Sequence, residues 1–467
     1  MFSKRPLLLN LFLASAVSAY SADIEWSGGA EFQEGSNWRA HWQDGGNWVG
    51  GTAPTAEDTA VLGADAFKDR NYGYVNAPNS TILAKDIVVY AHDTFGININ
   101  RDVSISGNLY VTANGSGSTF RLNSLNKDYT FKADSMYVGR GRADAGGSYQ
   151  LSANSTYLKV GYFDQYVVPF SSVELSGNLL IDGKNSGITC SASFGSASIS
   201  IAGIVDMVSS SGATKILETC AIPNKTDVES RVCDFSAGGF SGSGTIRSGN
   251  WAANGAAATT NIAITGSGAN AFSGSVQNDS VSAFNLSHTG SGSQTINLES
   301  GHFDSVSVSK GILKIGSAES NGALSVSGGL FGASSAAEFA SVEISGGGLA
   351  YSAETFLGGL ADTITVSGKF SKTSDEKIAM DFGGLDAESL IGLTYDLLSA
   401  ESYEGISQEN DADEYFSAQN LHNALANFKW DGNKLTVAFA AVPEPSEAAA
   451  IFAAAVLAAA LARRKMR

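Results

Sequence analysis

The sequence predicts an all-β chain, an elongated right-handed parallel β-helix (β-solenoid), with a removable leader at its N-terminus and a single apolar helix at its C-terminus. Three observations carry this reading. Apolar residues alternate in short runs over most of the 467 residues, the period of a strand with one buried face. Gly, Ser and Asn separate the runs, as tight turns require. One short pattern recurs: apolar, any residue, apolar, small, Gly, then another apolar residue. Low charge with abundant Gly and Ser would suit disorder, but apolar residues placed so regularly do not.

Residues 1–22 form the leader. Lys4 and Arg5 precede the apolar run Leu7–Ala14, and the small residues Val17-Ser18-Ala19 close it. A basic head, a short apolar middle and a small-x-small exit are the parts of a secretory signal peptide, cut after Ala19 or Ala22. The apolar run is too short to span a bilayer.

Residues 23–75 read as a tryptophan-rich cap. Trp26, Trp38, Trp42 and Trp48 fall in this window, although the chain has only six tryptophans. Gly35-Ser36-Asn37-Trp38 and Gly45-Gly46-Asn47-Trp48 repeat each other, and Pro54 and Asp58 lead into Thr59-Ala60-Val61-Leu62. The stretch resembles the opening segment of autotransporter-like β-helix proteins, which implies a cap leading into the first coil. A sugar-stacking platform is the alternative account of these aromatics.

Residues 76–380 read as the solenoid. The recurring pattern begins at Val103-Ser104-Ile105-Ser106-Gly107 and returns at Val173, Ile199, Ile262, Leu324, Val342 and Ile364. Alternate strand residues face one side, so both apolar positions point inward together. Glycine then permits a corner that a side chain would obstruct. The nearest neighbours lie 18, 22 and 26 residues apart, which suits one coil of a stacked repeat. The gaps of 62 to 70 residues are expected to hold about three coils each. Some 15 to 18 coils at about 4.8 Å would give a rod of roughly 70–85 Å. A β-sandwich array is the alternative.

Residues 381–441 read as C-terminal capping strands. Thr394–Ala400 suits a strand, the more charged stretch Glu401–Asn427 suggests a short helix, and Phe428–Phe439 with the turn Asp431-Gly432-Asn433 suggests a closing hairpin.

Residues 442–467 are tripartite. Val442-Pro443-Glu444-Pro445 is followed by the Ala/Leu-rich run 448–462, and Arg463, Arg464, Lys465 and Arg467 finish the chain. The run favours helix, and the basic cluster resists translocation and marks the cytoplasmic end. At about 1.5 Å per residue the helix is roughly 22 Å long, a marginal span. This tail resembles the PEP-CTERM sorting signal. The resemblance implies an exosortase-type membrane protease as partner, processing near Pro443, transient inner-membrane anchoring, and delivery to the cell surface of an exopolysaccharide-producing bacterium.

Both removable ends are basic. Without them 23 basic residues face 44 acidic ones, so the mature body carries a charge near −21. Such a surface repels nucleic acid and anionic lipid. Three cysteines fall in a chain expected to leave the cytoplasm. Cys220 and Cys233 bracket the polar stretch Pro223–Asp227, and a disulfide closing that loop is the first expectation; pairing of Cys190 with either is the alternative.

Chemistry is sparse. His41, His92, His288, His302 and His422 are scattered without metal spacing, and no phosphate-binding loop occurs. Arg140-Gly141-Arg142-Ala143-Asp144, beside Asp134, is the nearest approach to a catalytic cluster, and a solvated turn between strands accounts for it as well. Glu409, Asp411, Asp413 and Glu414 lack the glycine and spacing of a calcium loop. No catalytic residue, cofactor or metal site is therefore expected. The expected function is a non-enzymatic structural or adhesive protein of the cell surface or extracellular matrix. The alternative is a polysaccharide-binding or polysaccharide-degrading β-helix protein with an exopolysaccharide or surface glycan as partner.

Overall fold

A computed structural model describes residues 22–442, except 35–36, 64–72, 78–81, 92–93, 114–117, 125–128, 145–147, 162–169, 209–211, 221–230, 250–256, 278–279, 318, 336 and 360–362. Most of the leader and the segment from Pro443 to Arg467, with its apolar run and basic cluster, lie outside the described residues. Among the described residues no helix is long and apolar enough to cross a membrane.

The fold is all-β, and nearly every ladder in it is parallel. The pattern read from the sequence produces a long interior file. Val103 pairs with Phe131, Phe131 with Val173, and the file continues through Ile199, Phe235, Ile262, Leu286, Val306, Leu324, Val342 and Phe370 to Tyr403. From Val103 to Phe370 every member is buried. Each contributes about 1.5–3 kcal/mol relative to exposure, and no single tier could supply that burial alone. The intervening residues face outward: Ser104, Lys132, Glu174, Ser200 and Ser236 occupy successive positions of the neighbouring file.

Two expectations about this repeat are corrected. The gap from Ile262 to Leu324 holds three tiers as expected, with Leu286 and Val306 between, but the other two hold only two: between Val103 and Val173 only Phe131 intervenes, and between Ile199 and Ile262 only Phe235. Insertions lengthen single turns of the chain there. Ile364 does not occupy the file either. It pairs with Ala337, and Phe370, six residues later, takes the position opposite Val342.

A second ladder runs the length of the described chain. It starts with Asp23–Glu25 against Thr59–Leu62 and continues through Asp86–Ala91, Leu109–Ala113, Met136–Val138 and Leu179–Ile181. Nine more strands carry it to Ile378–Asp386 and Phe416–His422, fifteen in unbroken parallel succession. A third ladder starts with Asn37–His41, Gly73–Ala77 and Thr94–Ile99. Along it Asn76, Asn98 and Asn123 bond in a chain, each Nδ2 donating to the preceding Oδ1 at 3.0 Å. Long strands such as Arg231–Ser248 pass from one ladder to the next, which joins thirty-three strands into one sheet.

The ends differ from the middle. Trp26, Trp42 and Trp48 are buried together, with edge-to-face ring contacts at 4.8 and 5.0 Å, and Trp48 Nε1 donates to the Trp42 carbonyl at 2.7 Å. Buried in this way, these three rings are not a sugar platform. The expected cap is also continuous with the body, since its strands already lie in the second and third ladders.

At the C-terminal end, Ala424–Asp431 and Lys434–Ala441 pair antiparallel around Gly432. The helix expected between Glu401 and Asn427 does not form. That stretch holds one 3-10 turn, Ala412–Glu414, and the strand Phe416–His422. Phe416 is buried opposite Ile378, and a full ladder of backbone hydrogen bonds outweighs a weak local helix preference. The one α-helix among the described residues is a short one, Ala353–Leu357. Its Phe356 packs edge-on to Tyr395 and Phe439 at 5.0 and 5.7 Å.

Candidate functional site

An excursion from the second ladder builds a recess on the surface. After Met136–Val138 the chain turns at Gly139, whose φ of 78° lies in the left-handed region that favours glycine. It then leaves the ladder as an antiparallel hairpin, Arg140–Ala143 against Tyr149–Leu151.

The expected Arg140–Asp144 cluster is the first arm of this hairpin, and its arginines are clamps. Arg140 reaches Asp182 at 2.6 Å, and the Asp182 carboxylate is 1% exposed. Asp182 also accepts from the Gly183 amide at 2.7 Å. Arg142 grips Asp23 with both terminal nitrogens, at 2.5 and 2.7 Å, and donates to Thr59 Oγ1 at 3.2 Å. The Asp23 hydrogen bond is the main cause holding the Arg142 pKa above its ordinary value. Asp134 does not join them: its Oδ1 accepts from Ser176 Oγ at 2.7 Å. A guanidinium committed to a carboxylate in this way is a fastener, not a base.

A stack of tyrosines lies under the hairpin. Tyr110 and Tyr137 occupy matching positions on successive strands, with ring centroids 4.7 Å apart and planes 14° from parallel. Tyr149 extends the stack from the hairpin at 5.7 Å, and Arg140 lies 4.7 Å from the Tyr149 centroid, a cation–π contact. Burial, followed by the neighbouring Tyr137, Asp86 and Tyr149, pushes the Tyr110 phenol up to about 12.

Beside this stack is a cleft of about 460 Å³ lined by Tyr90, Thr112, Tyr149, Gln150, Ser152, Asn154 and Lys184. Ser152 is internally satisfied, donating to the Asn154 carbonyl at 2.8 Å and accepting from Thr156 Oγ1 at 3.1 Å. The side chains of Gln150, Asn154 and Lys184 have no hydrogen-bond partner among the described residues. An amide-rich cleft of this size with phenol rings on its wall suits a hydroxyl-bearing ligand of one or two rings. A second groove, lined by Ser104, Lys132, Asp134, Glu174 and Ser200, is crossed by the Lys132–Glu174 ion pair at 2.7 Å, and Asp134 is engaged by Ser176.

No family model, curated protein or solved structure matches the chain. Function rests on the residues themselves.

The other sequence candidates are dispersed. Asp411 bonds the Asp413 amide, Asp413 accepts from the Phe428 amide, and Glu414 accepts from Asn410, so these acids hold the C-terminal turn together. His288 is buried in a neighbouring inward file between Ile264 and Val308, His302 pairs loosely with Glu319 at 3.5 Å, and His92 lies outside the described residues. Among the described residues no group of three or more His, Cys, Asp or Glu is placed to hold a metal. Val442 is exposed immediately after the last strand; Pro443, Glu444, Pro445, Arg463, Arg464, Lys465 and Arg467 lie outside the described residues. Cys190, Cys220 and Cys233 are all buried, and all three are free thiols in this structure, without the expected Cys220–Cys233 bond.

The hairpin's clamps escaped sequence reasoning for a simple reason: Arg142 and Asp23 are 119 residues apart, and only the stacking of strands brings them together.

Proposed function

We propose that this chain is an exported, non-enzymatic structural or adhesive protein of the cell surface or extracellular matrix. In this reading it is built as a right-handed parallel β-helix and sorted by an exosortase-type protease. The observation that supports it is the unbroken ladder of fifteen parallel strands, plugged by tryptophans at one end and an antiparallel hairpin at the other. At about 4.8 Å per strand such a ladder extends about 67 Å, a stiff spacer suited to display. The leader at 1–22 supplies export, and the segment 442–467 supplies transient inner-membrane anchoring followed by release to the outside.

The test is the intact mass of the protein recovered from its host, with surface and medium included. Loss of mass at Ala19 or Ala22 and again near Pro443 is expected, and a variant carrying Pro443→Ala, Glu444→Ala and Pro445→Ala should retain the tail. A species still carrying Arg467 and confined to the inner membrane would refute the sorting.

The cleft beside Tyr149 favours a second reading, in which the same scaffold binds or degrades a polysaccharide. Incubation with the host's exopolysaccharide separates the cases. Retention lost on Gln150→Ala with Asn154→Ala supports binding, release of shorter chains supports degradation, and neither effect leaves the structural role.

A further inference from the structure

The three cysteines are not equivalent in their surroundings. Cys190 lies in the strand Thr189–Phe194, and its sulfur fills the space beside Gly183, where an added Cβ would stand 3.0 Å from Sγ. Burial pushes its thiol up to about 11, the behaviour of an inert core residue.

Cys220 and Cys233 converge on one place. Cys220 directly follows the strand Thr214–Thr219, and Cys233 lies near the start of Arg231–Ser248; both are fully buried. Cys233 is the register partner of Thr260, and Thr260 Oγ1 is 3.0 Å from the hydroxyl of Thr219, next to Cys220. The Cys220 sulfur reaches the Thr259 carbonyl at 3.8 Å. The Cys233 sulfur in turn reaches the Ser196 carbonyl at 3.5 Å, and the two cysteine side chains are neighbours. That contact lowers the pKa of Cys220 and raises that of Cys233. Cys220 also has a φ of 49°, a left-handed value that a residue with a side chain holds only when its surroundings fix it.

We propose that Cys220 and Cys233 are oxidised to a disulfide as the chain folds outside the cytoplasm, with Cys190 left as a thiol. The pairing follows from the geometry; its formation in the host rests on the export reading above. The oxidant is a protein disulfide of the receiving compartment. One cysteine thiolate attacks it and breaks its S–S bond, giving a mixed disulfide. The other cysteine thiolate then displaces the donor. The Cys220–Cys233 bond forms, and the donor leaves as a dithiol carrying the two electrons and two protons. Because both sulfurs are buried in the finished fold, exchange precedes closure of these tiers, and the completed bond is shielded from reductants.

The test is the full-length gene product from its host, denatured without reductant, treated with N-ethylmaleimide and mapped by mass spectrometry. Expected are one adduct, at Cys190, and a tryptic peptide pair joining Cys220 to Cys233, about 2 Da lighter than its thiol form because two hydrogens have left. Cys220→Ser should give two adducts, at Cys190 and Cys233. The same spectrum shows whether the leader was removed, so export is scored separately. If the leader is retained, the purified chain is refolded in a glutathione redox buffer, where the joined peptides again support the pairing. Three adducts in exported or redox-refolded protein, or a bond that includes Cys190, would overturn it.

Discussion

Phe131 and Lys132 are adjacent in one strand and should behave as opposites. Phe131 is fully buried in the interior file between Val103 and Val173, with the Phe170 ring 6.1 Å away. Phe131→Ala removes a ring from a close-packed stack whose backbone ladder prevents collapse, so a cost of about 3–5 kcal/mol follows. Lys132 points outward and pairs with Glu174 at 2.7 Å, with about half of each side chain exposed. Solvent screens such a pair, and Lys132→Ala should cost at most about 1 kcal/mol. Urea unfolding followed by far-UV circular dichroism measures both. Because a stack of tiers need not unfold all at once, the comparison is made on the first transition to appear. Equal losses from the two substitutions, or a Phe131→Ala protein as stable as the parent, would refute the inward–outward alternation on which the fold description rests.

Other outcomes follow from the same structure. Asp182→Ala strands the mostly buried Arg140 guanidinium and should cost about 3 kcal/mol or more, visible as faster proteolysis within the 140–151 hairpin. Arg142→Ala removes an exposed pair with Asp23, so a far smaller effect is expected in the same assay. Trp48→Ala opens the N-terminal plug and should lower the first melting transition, with early hydrogen exchange confined to the first strands. Alkaline titration should also report the buried phenols. Burial raises both Tyr110 and Tyr403 to about 12 from an ordinary value of 10.0, so the folded state holds these protons more tightly than the unfolded chain. Their contribution is complete below about pH 10 and is lost as pH rises towards 12. Substituting both by Phe should flatten that decline in a melting-temperature profile, and an unchanged slope would count against the assignment.

Legibility in the sequence followed how local each feature is. The interior file was readable wherever two apolar residues met a small residue and a glycine, as at Val173, Ile199 and Leu324. Tiers that depart from the pattern were missed. Phe131 is followed by Lys132-Ala133-Asp134, Leu286 by a strand that places His288 in an inward position, and Val306 by a corner bearing Lys310 where glycine was expected. Ile364 matched the pattern and still fell out of file, because register is set by the neighbouring strand and not by composition. The strand Phe416–His422, buried only at Phe416, reads as helix because its mostly exposed polar residues conceal the pairing with Ile378–Asp386. The cleft was the least legible feature. Its walls come from the hairpin, from two strands before it and from Lys184 after it, and no short window contains that combination.

The last strand has a mechanical consequence. Lys434–Ala441 is flanked on both sides, by Ala424–Asp431 and by residues 394–399, and both pairings are antiparallel. Any tether leaving at Val442 would pull along this strand, parallel to its axis and across two rows of hydrogen bonds. The rows must then slide together, whereas a strand peeled from an edge loses its bonds one after another. Such an attachment would therefore be loaded in shear, and tension would reach the stacked tiers without first unravelling the end from which it is applied.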